Sequence, residues 1–175
     1  QAGEFEKLAR VYEAQLEHIP TQKPEGGEGP GGEEDRLAAY YRIAELFEEK
    51  LVDMPATLDV YIRILKEYPL DEKTGEEAPR LAAGIEQGWE TLANAYADVL
   101  GMHADLAVQR SIGKRLAKVF EDELGEVDKA EETYKYVLGI DPLDAETLAN
   151  LDRIYLSLEA WPSLAEVLEM RVKAP

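Results

Sequence analysis

The stretches YIRILKEYPLD (Tyr61 to Asp71) and YKYVLGIDPLD (Tyr134 to Asp144) carry Tyr, Leu, Pro, Leu and Asp at the same places, 73 residues apart. A chain that repeats itself at a fixed interval is assembled from copies of one unit, and this bounds its fold more tightly than composition does. The same shift lays LFEEKL (Leu46 to Leu51) on VFEDEL (Val119 to Leu124), Arg42 on Arg115 and Ala44 on Ala117. A second set of segments also recurs: FEKLARVYEAQL from Phe5, WETLANAYADVL from Trp89 and WPSLAEVLEMRV from Trp161. In each, Leu and Ala follow the aromatic residue by three and four places. Tyr12 and Tyr96 then come four places after Leu8 and Leu92, and Leu168 takes that place in the third. Apolar residues at i, i+3, i+4 and i+7 form one stripe along an α-helix. The aromatic residues Phe5, Trp89, Tyr96, Tyr134 and Trp161 fall on these stripes and are expected in the core.

The pattern predicts helices over about 3–18, 34–52, 56–68, 74–85, 88–101, 105–123, 127–139, 144–157 and 161–173. Pro69 and Pro142 follow helix ends, Asp144 suits an N-cap, and Pro162 suits a first turn. EEAPRLAAGIEQG, with Pro79 and Gly84, predicts a short or bent helix. No segment alternates as a strand would. Repeated helix pairs bury their stripes only against neighbouring pairs, so the expected fold is an all-α solenoid of antiparallel helix pairs spanning residues 1–175. Residues 20–35 (PTQKPEGGEGPGGEED) cannot build a core and are expected to be a flexible loop. By helix type the chain opens on the second helix of a pair, followed by four complete pairs, which suggests a piece of a longer array.

Nineteen Lys and Arg against 37 Asp and Glu give a net charge of −18. That field opposes nucleic acid and anionic lipid. No run reaches the ~20 apolar residues of a membrane span. The chain has no cysteine, hence no disulfide or thiolate chemistry, which fits cytoplasm or periplasm, with cytoplasm preferred.

The chain resembles the tetratricopeptide repeat (TPR) family. That family's helix pair carries W-x2-L-G-x2-Y, then A-x3-F, then P. Here one copy reads Gly113-x2-Leu116-Ala117-x2-Phe120, Ala130-x3-Tyr134, Pro142. An earlier copy reads Tyr40-x2-Ile43-Ala44-x2-Phe47, Thr57-x3-Tyr61, Pro69, and the last pair reads Leu148-x2-Leu151-Asp152-x2-Tyr155, Leu164-x3-Leu168. The family's first Trp is missing throughout. The resemblance implies an α-α superhelix whose first helices line a concave groove. The half-a-TPR repeat of RNA-processing scaffolds has similar spacing.

Nothing in the sequence selects an enzyme, a cofactor or a metal. His18 and His103 follow helix ends, where a cation is favoured, and no H-x3-H or H-E-x2-H spacing occurs. Gly113-Lys114-Arg115 lacks the earlier Gly and the Ser/Thr of a phosphate loop. The segment that stands against the overall charge is QRSIGKRLAK, with Arg110, Lys114, Arg115 and Lys118 and no acid. Arg110, Lys114 and Lys118 are spaced i, i+4, i+8 and form one helix ridge. The resemblance puts that ridge, with Arg42, Tyr41, Asn150 and Arg153, at the groove. Such side chains hold a carboxylate or an acidic segment by charge-assisted bonds. The alternative is that they balance neighbouring glutamates. The expected function is a protein–protein interaction scaffold binding a partner's peptide or helix; a self-assembling repeat array is the second expectation, and an enzyme on a helical toroid the least favoured.

Overall fold

A computed structural model describes residues 2–23 and 29–173. The described residues form nine α-helices and no strand. These are α1 Ala2–His18, α2 Glu33–Glu45, α3 Met54–Glu67, α4 Glu72–Ala82, α5 Gly88–Met102, α6 Leu106–Lys118, α7 Val127–Ile140, α8 Ala145–Ser157 and α9 Trp161–Lys173. The fold is all-α, as the periodicity predicts. Residues 24–28, in the middle of the expected loop, lie outside the described residues. The chain divides into two compact units, Gln1–Leu92 and Ala93–Pro175.

Each unit writes the same local structure. In unit 1, α2 runs on into a π-helical turn, Leu46–Leu51; in unit 2, α6 runs on into another, Val119–Glu123. The Asp53 N–H donates to Phe47 O at 2.9 Å, and the Glu126 N–H to Phe120 O at 2.7 Å. Between donor and helix sits a left-handed residue, Val52 with φ 54° and Gly125 with φ 67°. This is a Schellman-like cap widened by one residue, a seven-to-one closure in keeping with the π turn, and its left-handed position favours glycine. The quoted repeat supplies the next turn. Asp71 N–H donates to Tyr68 O at 3.1 Å and Asp144 N–H to Asp141 O at 3.2 Å, closing turns around Pro69 and Pro142. Each Asp then caps a helix, accepting the N–H of Thr74 or Thr147 at 2.8 Å. These bonds satisfy donors that a helix start leaves unpaired.

Cross-contacts run in opposite directions along consecutive helices. Arg36 meets Glu67, Tyr40 meets Arg63, and Tyr41 meets Tyr61. In unit 2, Arg110 meets Asp141, Gly113 meets Val137, and Glu121 meets Tyr134. Both pairs, α2 with α3 and α6 with α7, are therefore antiparallel. Their cores use matching positions: Ile43 and Leu116, Ala44 and Ala117, Tyr61 and Tyr134, Ile64 and Val137, and Leu81 and Ile154 are all buried. Ala44, Ala117 and Ala130 are essentially inaccessible. Close helix approach needs small residues there, since a larger side chain would overpack.

The copies differ at one layer, and the differences compensate. Unit 1 has Tyr40, with the Arg63 guanidinium 5.2 Å over its ring. At the same two positions unit 2 has Gly113 and Tyr136. A Cβ on Gly113 would lie 2.8 Å from Val137 Cγ2 and 3.7 Å from the Tyr136 ring. The aromatic ring has changed helices, and Gly113 makes room for it. Gly113 is thus a packing residue inside α6, in keeping with its rejection as a phosphate loop.

Two expectations need adjustment. α4 stops at Ala82 rather than near residue 85. Pro79 removes one backbone donor, and the helix runs only three residues beyond it. Of the aromatic residues expected in the core, Tyr96 and Tyr134 are buried, Phe5 and Trp89 are only half-buried, and Trp161 is 57% exposed, at the first position of α9. Its place on the stripe is right, but α9 packs extensively only on α8, which leaves that flank open.

Candidate functional site

The basic ridge exists and is paired within unit 2. Arg110 Nη1 donates to Asp141 Oδ2 at 2.8 Å. Lys114 Nζ reaches Asp144 Oδ2 at 3.3 Å and Glu146 Oε2 at 2.9 Å, and Lys118 Nζ reaches Glu146 Oε1 at 2.6 Å. Burial would lower the Lys114 pKa, but hydrogen bonds to Glu146 and Asp144 raise it above the usual lysine value. Its partner Glu146 is held below the usual carboxylate value by hydrogen bonds from Lys114 and Lys118. Arg153 bridges to Glu121 at 2.7 Å and also donates to Asn150 Oδ1.

Arg42 and Arg115 take the same place in their units, as the alignment implies, but on another side of the helix. One residue of advance turns an α-helix by about 100°. Arg42 lines a crevice with Tyr12 and Gln15 of α1. Arg115 lies against the buried Tyr96, on α5. Neither shares the face of Tyr41, Lys114 and Lys118.

Moving the unit 2 constellation back by 73 residues lands on a matching one in unit 1. Arg153 with Glu121 and Asn150 becomes Arg80 with Glu48 and Glu77. Arg80 Nη2 lies 2.7 Å from Glu48 Oε1 and 2.6 Å from Glu77 Oε2. Lys114 on the capping Asp144 becomes Tyr41, whose hydroxyl donates to the capping Asp71 at 2.6 Å. Burial and that hydrogen bond push the Tyr41 pKa well above the ordinary tyrosine value. The rim residues change sign. Lys118 becomes Glu45, and Glu146 becomes Lys73.

The result in unit 1 is a cleft of about 360 Å³ between α2 with its π turn, α3 and α4. Four carboxylates line it, from Glu45, Glu48, Glu49 and Glu77, against one ammonium, from Lys73. Tyr41 and Tyr61 form its aromatic wall, ring centroids 6.4 Å apart and planes tilted by 45°. Lys73 Nζ stands 4.1 Å from the Tyr41 ring centre, within cation–π range. Burial, with smaller contributions from the charges of Glu77 and Glu48, pushes the Tyr61 pKa up to about 12. Only Tyr41 of this set is singled out by the sequence, because a search for basic residues against an acidic background passes over glutamates. The signal was present: the shift of 73, applied to Lys114, Lys118 and Glu146, names Tyr41, Glu45 and Lys73.

Among the described residues, no group of three or more His, Cys, Asp or Glu could hold a metal ion. His18 Nδ1 donates to the Ala14 carbonyl at 2.6 Å and finishes α1. Among the described residues, no helix is long and apolar enough to cross a membrane. No protein-family model matches the chain, and no curated protein matches it.

Proposed function

We propose that the chain is a protein–protein interaction scaffold of TPR-like helix pairs, whose first-helix faces receive a peptide or helix of another protein. One observation carries this reading: a constant frame with a varied rim. Tyr61 and Tyr134 keep their identity and burial, the Arg80–Glu48 and Arg153–Glu121 bridges match, and Asp71 and Asp144 cap the equivalent Thr74 and Thr147. The positions that change chemistry are Tyr41 to Lys114, Glu45 to Lys118 and Lys73 to Glu146. They sit together at the mouth of the same constellation. Stacked repeats of this kind form extended concave surfaces that take partners, and side chains at the rim set what such a surface meets.

The two rims differ in readiness. In unit 2 an acidic segment has to displace Asp144 and Glu146 from Lys114 and Lys118, and the in-chain acids are already in place. In unit 1 the carboxylates outnumber the cations around an open cleft. The rim of unit 1 is therefore the favoured partner site.

A photo-crosslinking amino acid at position 41 or 118, compared with positions 59 and 132 on exposed turns of α3 and α7, tests the reading. The expected result is one discrete partner band from the rim positions and none from the other two. Equal labelling from all four positions overturns it.

A second reading, self-assembly, draws on apolar surface. α9 exposes Trp161, Leu168 and Val172, the last by 87%. In unit 1 a groove of about 430 Å³ runs between α1 and the π turn, with Ala9, Phe47 and Leu51 in its wall. Light scattering across concentration separates the readings, since a constant monomer mass removes the second.

A further inference from the structure

We propose that the unit 1 cleft is the seat of a basic segment of a partner protein, with a Lys or Arg side chain entering between the Tyr41–Tyr61 wall and the surrounding glutamates. The proposal rests on the scaffold reading and names the partner's chemistry.

The cleft has unspent acceptors. Glu45 makes no hydrogen bond or ion pair among the described residues. Glu49 has only Lys50, at 3.5 Å. Glu48 and Glu77 share the single guanidinium of Arg80. A cation entering here meets carboxylates that it does not have to free first, and charge-assisted bonds to them are the strong kind.

Unit 2 shows the same rim with its signs exchanged. At the positions of Tyr41 and Glu45 stand Lys114 and Lys118, and their ammonium groups rest on Asp144 and Glu146. The same frame in unit 2 thus holds two cations supplied by its own chain. In unit 1 Lys73 stands in place of Glu146, Asp71 accepts from the Tyr41 hydroxyl, and the carboxylates come instead from Glu45, Glu48, Glu49 and Glu77. Lys73 covers one face of Tyr41 and demonstrates that the ring takes a cation. Lys73 lines the same cleft as Tyr41 and Tyr61. Nucleic acid and anionic lipid do not fit a carboxylate-lined cleft on a chain of charge −18.

The probe is a short fluorescein-labelled peptide of lysine, arginine and alanine, with a twin carrying glutamate at each basic position. Binding is read by anisotropy at physiological salt, and far-UV circular dichroism checks that each variant is folded. The basic peptide is expected to bind. Glu45→Lys, which copies the Lys118 position into unit 1, is expected to weaken it about tenfold or more. Glu132→Lys, the same charge change on the exposed face of α7 in unit 2, is expected to weaken it less than about twofold, because it leaves every carboxylate of the cleft in place. Absence of binding by the basic peptide, or equal weakening by both variants, overturns the proposal. If instead the acidic twin binds and Lys114→Glu with Lys118→Glu abolishes that, the scaffold reading stands and this inference falls. If neither peptide binds and position 41 and 118 crosslinks are empty, both fall.

Discussion

Val52 and Gly125 occupy the same left-handed position of the same cap, and only one of them is suited to it. The perturbation that follows is an exchange: Val52→Gly in unit 1 and Gly125→Val in unit 2. A left-handed backbone costs an L-residue with a Cβ about 1–2 kcal/mol, and a β-branched residue lies at the upper end of that range. Val52 is 70% exposed, so its removal forfeits little burial, about 0.5 kcal/mol by proportion of a fully buried valine. Glycine adds unfolded-state entropy worth about 0.4–1 kcal/mol. The balance for Val52→Gly is a gain of about 0.5 kcal/mol. For Gly125→Val the backbone cost returns. Nothing lies within 4 Å of the added Cβ to clash or to pack, so the expected loss is about 1 kcal/mol. Urea unfolding followed by far-UV circular dichroism reads both as shifts in midpoint at unchanged slope. A destabilising Val52→Gly together with a neutral Gly125→Val would refute the equivalence of the two caps.

Gly113→Ala is expected to destabilise by about 1–2 kcal/mol, because the new Cβ meets Val137 Cγ2 at 2.8 Å and valine is stiff in a helix. In a Val137→Ala background the same change is expected to be neutral or stabilising, a reversal that a double-mutant cycle measures. The capping carboxylates give a pH signature. Burial would raise Asp71, but hydrogen bonds from Tyr41 and Thr74 hold its pKa below the usual value; burial likewise opposes Asp144, and Thr147 and Lys114 lower it. A carboxylate depressed on folding contributes stability that is complete above its unfolded pKa of about 3.9 and is lost as pH falls through the folded value. Asp71→Asn with Asp144→Asn is therefore expected to flatten the decline in stability below about pH 4, read by urea midpoints at stepped pH.

How much of this was legible in the sequence follows from what kind of interaction each feature uses. The helices were legible because their stripes and stops are local. Pro69, Pro142 and the capping Asp144 sit where the text places them, and α7 and α9 begin at or within a residue of the expected starts. The π turns were not legible, because LFEEKL and VFEDEL continue a helical pattern and differ from it only in hydrogen-bond register. The basic ridge on α6 was legible as a ridge, by its spacing of four. Its acids, Asp141, Asp144 and Glu146, lie some thirty residues on and meet it only through the α6–α7–α8 packing. The exposure of Trp161 was hidden for a similar reason. A stripe tells which face is apolar, and only the set of neighbouring helices tells whether that face is covered.

The central claim is that one helical frame is used twice and that its rim is exchangeable. It is tested most directly by trading the rims in one chain: Tyr41→Lys, Glu45→Lys and Lys73→Glu with Lys114→Tyr, Lys118→Glu and Glu146→Lys. The trade leaves the net charge at −18, so the bulk field is unchanged. The measurement is the set of backbone amide shifts that move when the basic peptide is titrated into the exchanged chain. The account predicts a folded protein in which the moving amides pass from the neighbourhood of residue 45 to that of residue 118. An exchanged chain that fails to fold, or whose moving amides stay near residue 45, contradicts it.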